Sequence, residues 1–215
     1  MSKQQLLNDL KEKMKADTTL PLRNGATQLV FGDGNPDSEI LFIGEGPGYW
    51  EDVKGIPFVG NAGALLNQLL AKIGFQRKDV YITNVVHYRP PENRDPSDSE
   101  IKAFQKYLDE IINIIDPKMI VTLGRFSMAK FIPGVFISSV HGKEKVVDWN
   151  EKKLTLVPMY HPAAALRSSE VKLKLTMDFE RLPQILSNLS KIDDKIADIG
   201  EEEKIEKKVE QMNLI

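Results

Sequence analysis

Residues 40–70, ILFIGEGPGYWEDVKGIPFVGNAGALLNQLL, decide the fold, because they contain a buried strand, a glycine-rich loop and a helix in that order. Residues 40–43 form a short apolar run that ends at Gly44, which is typical of a parallel strand covered on both faces. Asn61 is placed to cap a helix whose leucines return to the core. Ligands of open α/β sheets bind at the carboxyl ends of the strands, so the loop is a candidate site.

The glycine-rich loop does not match the common nucleotide-binding fingerprints. No Gly-Lys-Ser/Thr sequence follows it, and the third glycine of the dinucleotide pattern would fall at Tyr49. Pro47 also removes a backbone N–H that a phosphate cradle would use. Taken alone, the loop allows a purely structural interpretation, in which its glycines shape turns and Phe58 fills the core.

The rest of the chain predicts an α/β fold with a doubly wound parallel sheet. Further apolar runs at residues 80–86, 119–123 and 154–159 are separated by helical segments, including residues 98–115 behind a Ser97–Glu100 capping box. Residues 28–31 form a possible short strand, and residues 135–149 suggest a hairpin-like excursion with Gly142 in its turn. Helices at about residues 162 and 170–189 close the domain.

Length and composition predict one domain at residues 1–190 and a charged, helical C-terminal tail at residues 191–215. The tail contains five lysines and eight acidic residues, which leaves 24 basic and 23 acidic residues, a net charge of +1, in residues 1–190. Binding to DNA by overall charge alone is therefore excluded, and any nucleic-acid contact requires a local patch.

The chain has no cysteine and three histidines. Disulfides, thiolate catalysis and cysteine-ligated metals are excluded, and we expect no metal site. The N-terminal segment has the pattern of an amphipathic helix, not of a signal peptide, and no membrane span is found, so we expect a cytoplasmic protein.

Loops at the carboxyl edge of the predicted sheet carry polar or aromatic side chains suited to chemistry. Each residue alone has an ordinary structural explanation, as a core phenylalanine, a turn asparagine or a loop histidine. Their convergence on one crevice indicates an active site. The set is Glu45, Glu51 or Asp52, Phe58, Asn84 and His161.

Three motifs, GEGPGYWEDVKGIPFVGNAGALL, NVVHYRPPENR and YHPAAALR, resemble those of the family 4 uracil-DNA glycosylases of bacteria and archaea. The resemblance runs from about residue 20 to residue 186. It implies a three-layer α/β/α sandwich with a four-stranded parallel sheet. It also implies a DNA repair enzyme that flips uracil out of single- or double-stranded DNA and hydrolyses its N-glycosidic bond, close to the nucleoid.

The resemblance assigns roles residue by residue. Phe58 matches the aromatic that stacks on uracil, Asn84 the amide that reads its edge, and His161 the histidine that faces O2. Gly46 matches a position where other branches of the superfamily hold an acidic or amide residue. The residue that activates water is therefore left open between Glu45 and Glu51.

The segment after His161 is placed to support a flipped nucleotide. Leu166 and Arg167 are candidates for the wedge that holds the gap in the stack, and Arg89 and Arg94 are candidates for phosphate contacts. Lys143 and Lys145 are further candidates for phosphate contacts. Because no lysine accompanies the motifs as an obvious amine nucleophile, we expect a monofunctional enzyme that releases free uracil and leaves an abasic site. We also expect a monomer. The alternative is a non-catalytic relative that binds nucleic acid or nucleobases.

The sequence departs from the family at the positions of an iron–sulfur cluster. Family 4 enzymes usually hold this cluster through four cysteines, and the aligned positions here are Asp17, Leu20, Tyr88 and Phe104. These side chains lack thiolates, so we expect no cofactor. Leu20, Tyr88 and Phe104 are instead predicted to meet as a small apolar plug. Asn61 also stands where the family commonly has arginine.

Overall fold

The computed structural model describes the backbone of residues 1–212 and the side chains of residues 1–191. The chain divides into two compact units, Met1–Glu180 and Arg181–Ile215. The predicted boundary after residue 190 stays a prediction, and the side chains on which the expected character of the tail depends lie outside the described residues. No helix within the described part is long and apolar enough to cross a membrane.

A mixed six-stranded sheet forms the centre of the first unit, in the order β1-β3-β2-β4-β6-β5. The strands are β1 (Asp33–Gly34), β2 (Ile40–Gly44), β3 (Tyr81–Asn84), β4 (Met119–Leu123), β5 (Lys145–Trp149) and β6 (Lys152–Met159). Strands β3, β2, β4 and β6 pair in parallel, and β1 and β5 add antiparallel edges. The prediction of a four-stranded parallel sheet was therefore wrong about the size and the edges of the sheet.

The sequence pattern did not predict either edge strand, and each omission has a physical reason. Strand β1 has only two residues and replaces the short strand expected at residues 28–31. Strand β5 is mostly exposed, so it lacks the continuous apolar run of a buried strand. The hairpin that joins β5 to β6 turns at Asn150 and Glu151, whose φ angles of 46° and 64° fit a two-residue turn. The expected turn at Gly142 was therefore misplaced.

Helices connect most of these strands, precede β1 and follow β6. They are α1 (Lys3–Ala16), α2 (Tyr49–Lys54), α3 (Asn61–Lys72), α4 (Asp98–Ile115), α5 (Arg125–Ala129), α6 (Ile137–Val140), α7 (Pro162–Ala165) and α8 (Ser169–Met212). The Ser97–Glu100 capping box of α4 is present, as predicted. The cap of α3 is Gly60, not Asn61, which is already the first helical residue.

Helix side chains lie against both faces of the sheet. Leu41 and Ile43 of β2 belong to a buried cluster with residues of α1 and α4. The ring of Phe42, which points the other way in the alternating pattern of a strand, stacks on Phe179 of α8 with centroids 5.9 Å apart. The loops that follow β2, β3 and β6 all leave the same edge of the sheet, since these strands are parallel.

Candidate active site

A cavity of about 450 Å³ lies at the carboxyl edge of the sheet. Its walls come from the loops after β2, β3 and β6, as the sequence predicts for a ligand site of an open α/β sheet. Seven of the predicted site residues line it: Glu45, Gly46, Glu51, Phe58, Arg94, His161 and Arg167. The parallel strands thus bring together residues that lie more than a hundred positions apart in the chain.

Phe58 is held in an unusual backbone conformation beside the cavity. Its φ angle is 53°, which is uncommon for a residue with a side chain. Arg77 stabilises this conformation, because its guanidinium donates to the carbonyl oxygens of Pro57 and Phe58 (3.0 Å to the latter) and pairs with Asp33 at 2.6 Å. Gly63 is required beneath the loop, since any Cβ there would overlap the Phe58 carbonyl. A strained residue fixed in this way is typical of a functional position.

Asn84 lies at the end of β3 and is not among the residues that line the cavity. It is 1% exposed, and its Oδ1 has no hydrogen-bond partner within the described part of the chain. Both Oδ1 and the edge of the Phe58 ring lie against Gly44, where a Cβ would meet them. Leaving a buried acceptor unpaired costs about 1–3 kcal/mol, so this oxygen is available to a donor on a ligand.

His161 is positioned as a neutral hydrogen-bond donor. It caps α7, and its Nδ1 accepts from the backbone N–H of Ala163 at 3.1 Å. A ring nitrogen that accepts carries no proton, so the proton of the neutral ring is on Nε2. Burial, and after it the positive charge of Arg167, lowers the pKa of His161 to about 4, whereas Glu51 acts in the opposite direction. The ring centroid lies 5.5 Å from that of Phe58.

The two candidate carboxylates have different environments. Burial raises the pKa of Glu45, the charge of Asp95 raises it further, and Arg125 opposes both. Glu51 braces the loop, because its Oε1 accepts from the backbone N–H groups of Val59 and Gly60 at 2.8 Å each.

Asp52, the third acidic candidate, is not in the cavity wall. It is 3% exposed, and its carboxylate accepts from the backbone N–H groups of Thr27 and Gln28. It therefore ties α2 to the N-terminal segment.

The candidates for DNA contacts are distributed unevenly around the cavity. Leu166 is 49% exposed and directly precedes Arg167, which lines the cavity. Arg94 is already engaged by two hydrogen bonds to the Glu100 carboxylate, at 2.7 and 2.8 Å. Arg89 donates to Asn93 at 2.8 Å and lies over the Tyr49 ring.

Lys143 and Lys145 are not among the residues that line the cavity. Lys143 donates to the carbonyl of Ser139, and Lys145 begins the edge strand β5. Neither lysine is therefore brought to the predicted site.

Sequence reasoning missed three charged residues that shape the site. Arg77 reaches the Phe58 loop from a short 3-10 helix before β3, and nothing in its local sequence signals this contact. Asp95 and Arg125 form an ion pair next to Glu45, and both affect its pKa. Asp95 lies inside a predicted sheet-edge loop, which is the one signal that would have suggested it.

The positions that correspond to an iron–sulfur cluster in the family do not fit such a group. The Asp17 carboxylate accepts hydrogen bonds from Thr19, Lys106 and Tyr107. These bonds hold its pKa well below the ordinary value, and the bond from Thr19 has the largest effect. No group of three or more potential metal ligands occurs among the described side chains.

The other three positions are filled by apolar or aromatic side chains. Leu20, Tyr88 and Phe104 are 5%, 4% and 0% exposed and belong to one buried cluster. The Tyr88 and Phe104 ring centroids are 6.2 Å apart. The predicted apolar packing at these positions is therefore confirmed.

Comparisons with known proteins agree with the geometry. The sequence model of the uracil DNA glycosylase superfamily matches residues 31–182. A type-4 uracil-DNA glycosylase of Sulfurisphaera tokodaii is 44% identical over 83% of this chain and 84% of its own length. Proteins of the same name from Archaeoglobus fulgidus and Thermotoga maritima are 42% and 40% identical, over 83% and 84% of this chain and 92% and 94% of their own lengths. The matched segment contains every loop that lines the cavity.

Proposed function

The chain belongs to the uracil DNA glycosylase superfamily, and from that premise we propose that it is a DNA repair enzyme that hydrolyses the N-glycosidic bond of uracil in DNA. The observation that carries the proposal is the unpaired, buried Oδ1 of Asn84 next to the Phe58 ring. An aromatic ring in the cavity wall with an unpaired amide oxygen beside it is suited to a flat base that carries a donor on its edge.

Base recognition rests on Phe58 and Asn84. The Phe58 ring stacks on the flipped base, and the Arg77 contacts hold its backbone in place. The Asn84 amide donates to uracil O4 and accepts from N3–H, whereas cytosine presents a donor and an acceptor in the reverse order. Because the wrong base would leave buried polar groups unpaired, discrimination on the order of 10⁴ is expected.

Cleavage breaks the bond between C1′ of the sugar and N1 of uracil, and the electron pair leaves with the base. The Nε2–H of His161 donates to uracil O2, where negative charge accumulates, and stabilises the departing anion. A neutral imidazole suits this task, since it supplies a donor without placing a cation in a largely desolvated pocket. The oxygen of water then adds to C1′, and its proton is taken up by a carboxylate or by solvent.

Glu45 and Glu51 remain the two candidates for that carboxylate. Both line the cavity, but one Glu51 oxygen is held by Val59 and Gly60, so its substitution also loosens the loop that carries Phe58. A rate loss in Glu51→Gln without loss of uracil binding would assign the activation of water to Glu51. A larger rate loss in Glu45→Gln would assign it to Glu45.

The products are free uracil and an abasic site, and the enzyme acts as a monomer without a cofactor. Extraction of the base costs a few kcal/mol in a duplex and needs support for the gap. Leu166, exposed at the end of α7, and Arg167, at the cavity wall, are placed to provide it. Arg89 is better placed than Arg94 to contact a phosphate, because Arg94 is already paired with Glu100.

The test is single-turnover release of uracil from DNA that contains one uracil. His161→Ala should lower the rate at least about 10²-fold, the effect of one lost electrostatic donor, with nearly unchanged DNA binding. Asn84→Asp should lose selectivity for uracil. Asn67→Asp, the same change on an exposed face of α3, is the matched control and should behave as the wild type.

A wild-type protein that binds uracil-containing DNA without releasing uracil would identify a non-catalytic binding protein instead. Wild-type selectivity in Asn84→Asp would show that Asn84 does not read the base.

A further inference from the structure

Two large aromatic side chains that lie between cavity-lining residues in the sequence have no role in the proposed chemistry. Tyr49 and Trp50 are 53% and 56% exposed, and they form the first turn of α2. Their rings meet edge to face with centroids 5.1 Å apart and an interplanar angle of 79°. Aromatic surface of this extent is usually buried, and its exposure next to a cavity indicates a binding surface.

The aromatic pair is continuous with the proposed active site. Gly48 and Glu51, which flank it in sequence, both line the cavity, and Trp50 Cδ1 lies 3.7 Å from the Cβ position of Gly60. The two rings therefore lie directly beside the cavity wall.

A cation from a second loop completes the surface. The guanidinium carbon of Arg89, from the loop after β3, lies 5.2 Å from the centroid of the Tyr49 ring. An aromatic face beside a positive charge matches the chemistry of a nucleotide, whose base is flat and whose phosphate is negative. Charge complementarity therefore favours nucleic acid over an apolar protein segment.

We infer that Tyr49 and Trp50 form a stacking platform for an unpaired nucleobase next to the flipped uracil, with Arg89 at the adjoining phosphate. The inference rests on the proposed function for the position of the uracil. The bases of an intact duplex have both faces covered by their neighbours, so only single-stranded or unstacked bases offer a free face. The platform therefore promotes binding of single-stranded DNA, whereas the proposed Leu166 wedge acts on duplexes.

Trp50 provides a direct optical test. The chain has two tryptophans, so Trp149→Phe leaves Trp50 as the sole tryptophan. Short oligothymidine, which contains no uracil, should quench its fluorescence in a saturable manner. A single strand of abasic sites, with the same phosphates but no bases, should bind without this quenching.

Substitutions separate stacking from charge. In a protein that keeps Trp149, the double change Tyr49→Ala and Trp50→Ala should weaken oligothymidine binding about tenfold or more, the scale of one lost base–aromatic stack. Its binding to the abasic strand should be unchanged, and Trp50→Phe should retain most of the affinity for oligothymidine. Val53→Ala, on the same helix and 42% exposed, is the matched control and should have no effect.

Three results would overturn the platform. One is an equal loss of affinity for the oligothymidine and abasic strands. Another is the absence of Trp50 quenching by oligothymidine. The third is self-association of the protein that the double variant abolishes while oligothymidine binding is kept, which would make the surface a protein interface. None of these measurements uses uracil. They therefore test the stacking platform separately from the proposed glycosylase activity.

Discussion

Titration of the histidines is expected to leave His161 neutral throughout about pH 5 to 8, the range in which an ordinary histidine gains its proton. Its pKa is lowered from 6.5 to about 4, chiefly by burial. Relative to an ordinary histidine, this shift favours the neutral form by about 3 kcal/mol, because one pKa unit equals about 1.4 kcal/mol. At pH 6 only about 1% of His161 rings should be protonated, against about 75% for an unperturbed ring.

Long-range proton–nitrogen NMR of the three histidines measures both charge and tautomer. His161 should carry its proton on Nε2, because Nδ1 accepts from Ala163. His87 is an internal reference of opposite tautomer, since its Nδ1 lies 3.2 and 3.1 Å from the carbonyl oxygens of Val30 and Phe31 and must donate to them.

Two substitutions should move the pKa of His161 in opposite directions. Arg167→Gln removes a positive charge and should raise it, and Glu51→Gln removes a negative charge and should lower it. The pKa of His87 is lowered to about 4 by burial, against the opposing effect of its hydrogen bonds to Val30 and Phe31, and should not respond to either change. A His161 ring that titrates near pH 6.5, or that carries its proton on Nδ1, would refute the neutral-donor mechanism.

The same pKa values set the pH dependence of stability. His87 and His161 have folded-state pKa values below those of the unfolded chain, so the unfolded chain binds more protons between about pH 4 and 6.5. Their contribution to stability is therefore complete above pH 6.5 and declines as the pH falls toward 4. Urea unfolding at several pH values should show this loss, and a constant free energy of unfolding from pH 7 to 4.5 would contradict it.

Three further predictions follow from individual contacts. Arg77→Met removes the donors to the Pro57 and Phe58 carbonyls, so it should weaken inhibition by free uracil about tenfold in a folded protein. Arg77→Lys should partly restore the inhibition. Unchanged inhibition in Arg77→Met would exclude the positioning role of Arg77. Leu166→Ala should slow single-turnover release of uracil from duplex DNA more than from single strands, and equal losses would show that Leu166 is not a wedge. Phe104→Ala should reduce the free energy of unfolding in urea by about 3–5 kcal/mol, because the ring is fully buried. Elemental analysis of the purified wild-type protein should find no iron. A variant as stable as the wild type would contradict the first expectation, and stoichiometric iron would contradict the second.

Local sequence determined the central strands and the loops that carry the site. Residues 40–43 and 119–123 are apolar throughout or nearly so, and such short runs are stable only as strands covered on both faces. Parallel pairing then brings the carboxyl ends of the strands to one edge whatever the loops contain. For this reason Phe58, Asn84 and His161 were identified from sequence together with the motifs that resemble family 4 enzymes.

The tertiary structure decided which atoms of these residues are available. Glu51 and Arg94 are equivalent in sequence to any other charged loop residues, yet one Glu51 oxygen is bound by the Phe58 loop and Arg94 is paired with Glu100. Arg77 supports Phe58 across 19 positions of the chain. The edge strands and the tautomer of His161 are also features that only the tertiary structure decides. Hydrogen bonds form only within about 3.2 Å, and whether two distant groups approach that closely depends on the paths of several loops at once, which no local pattern records.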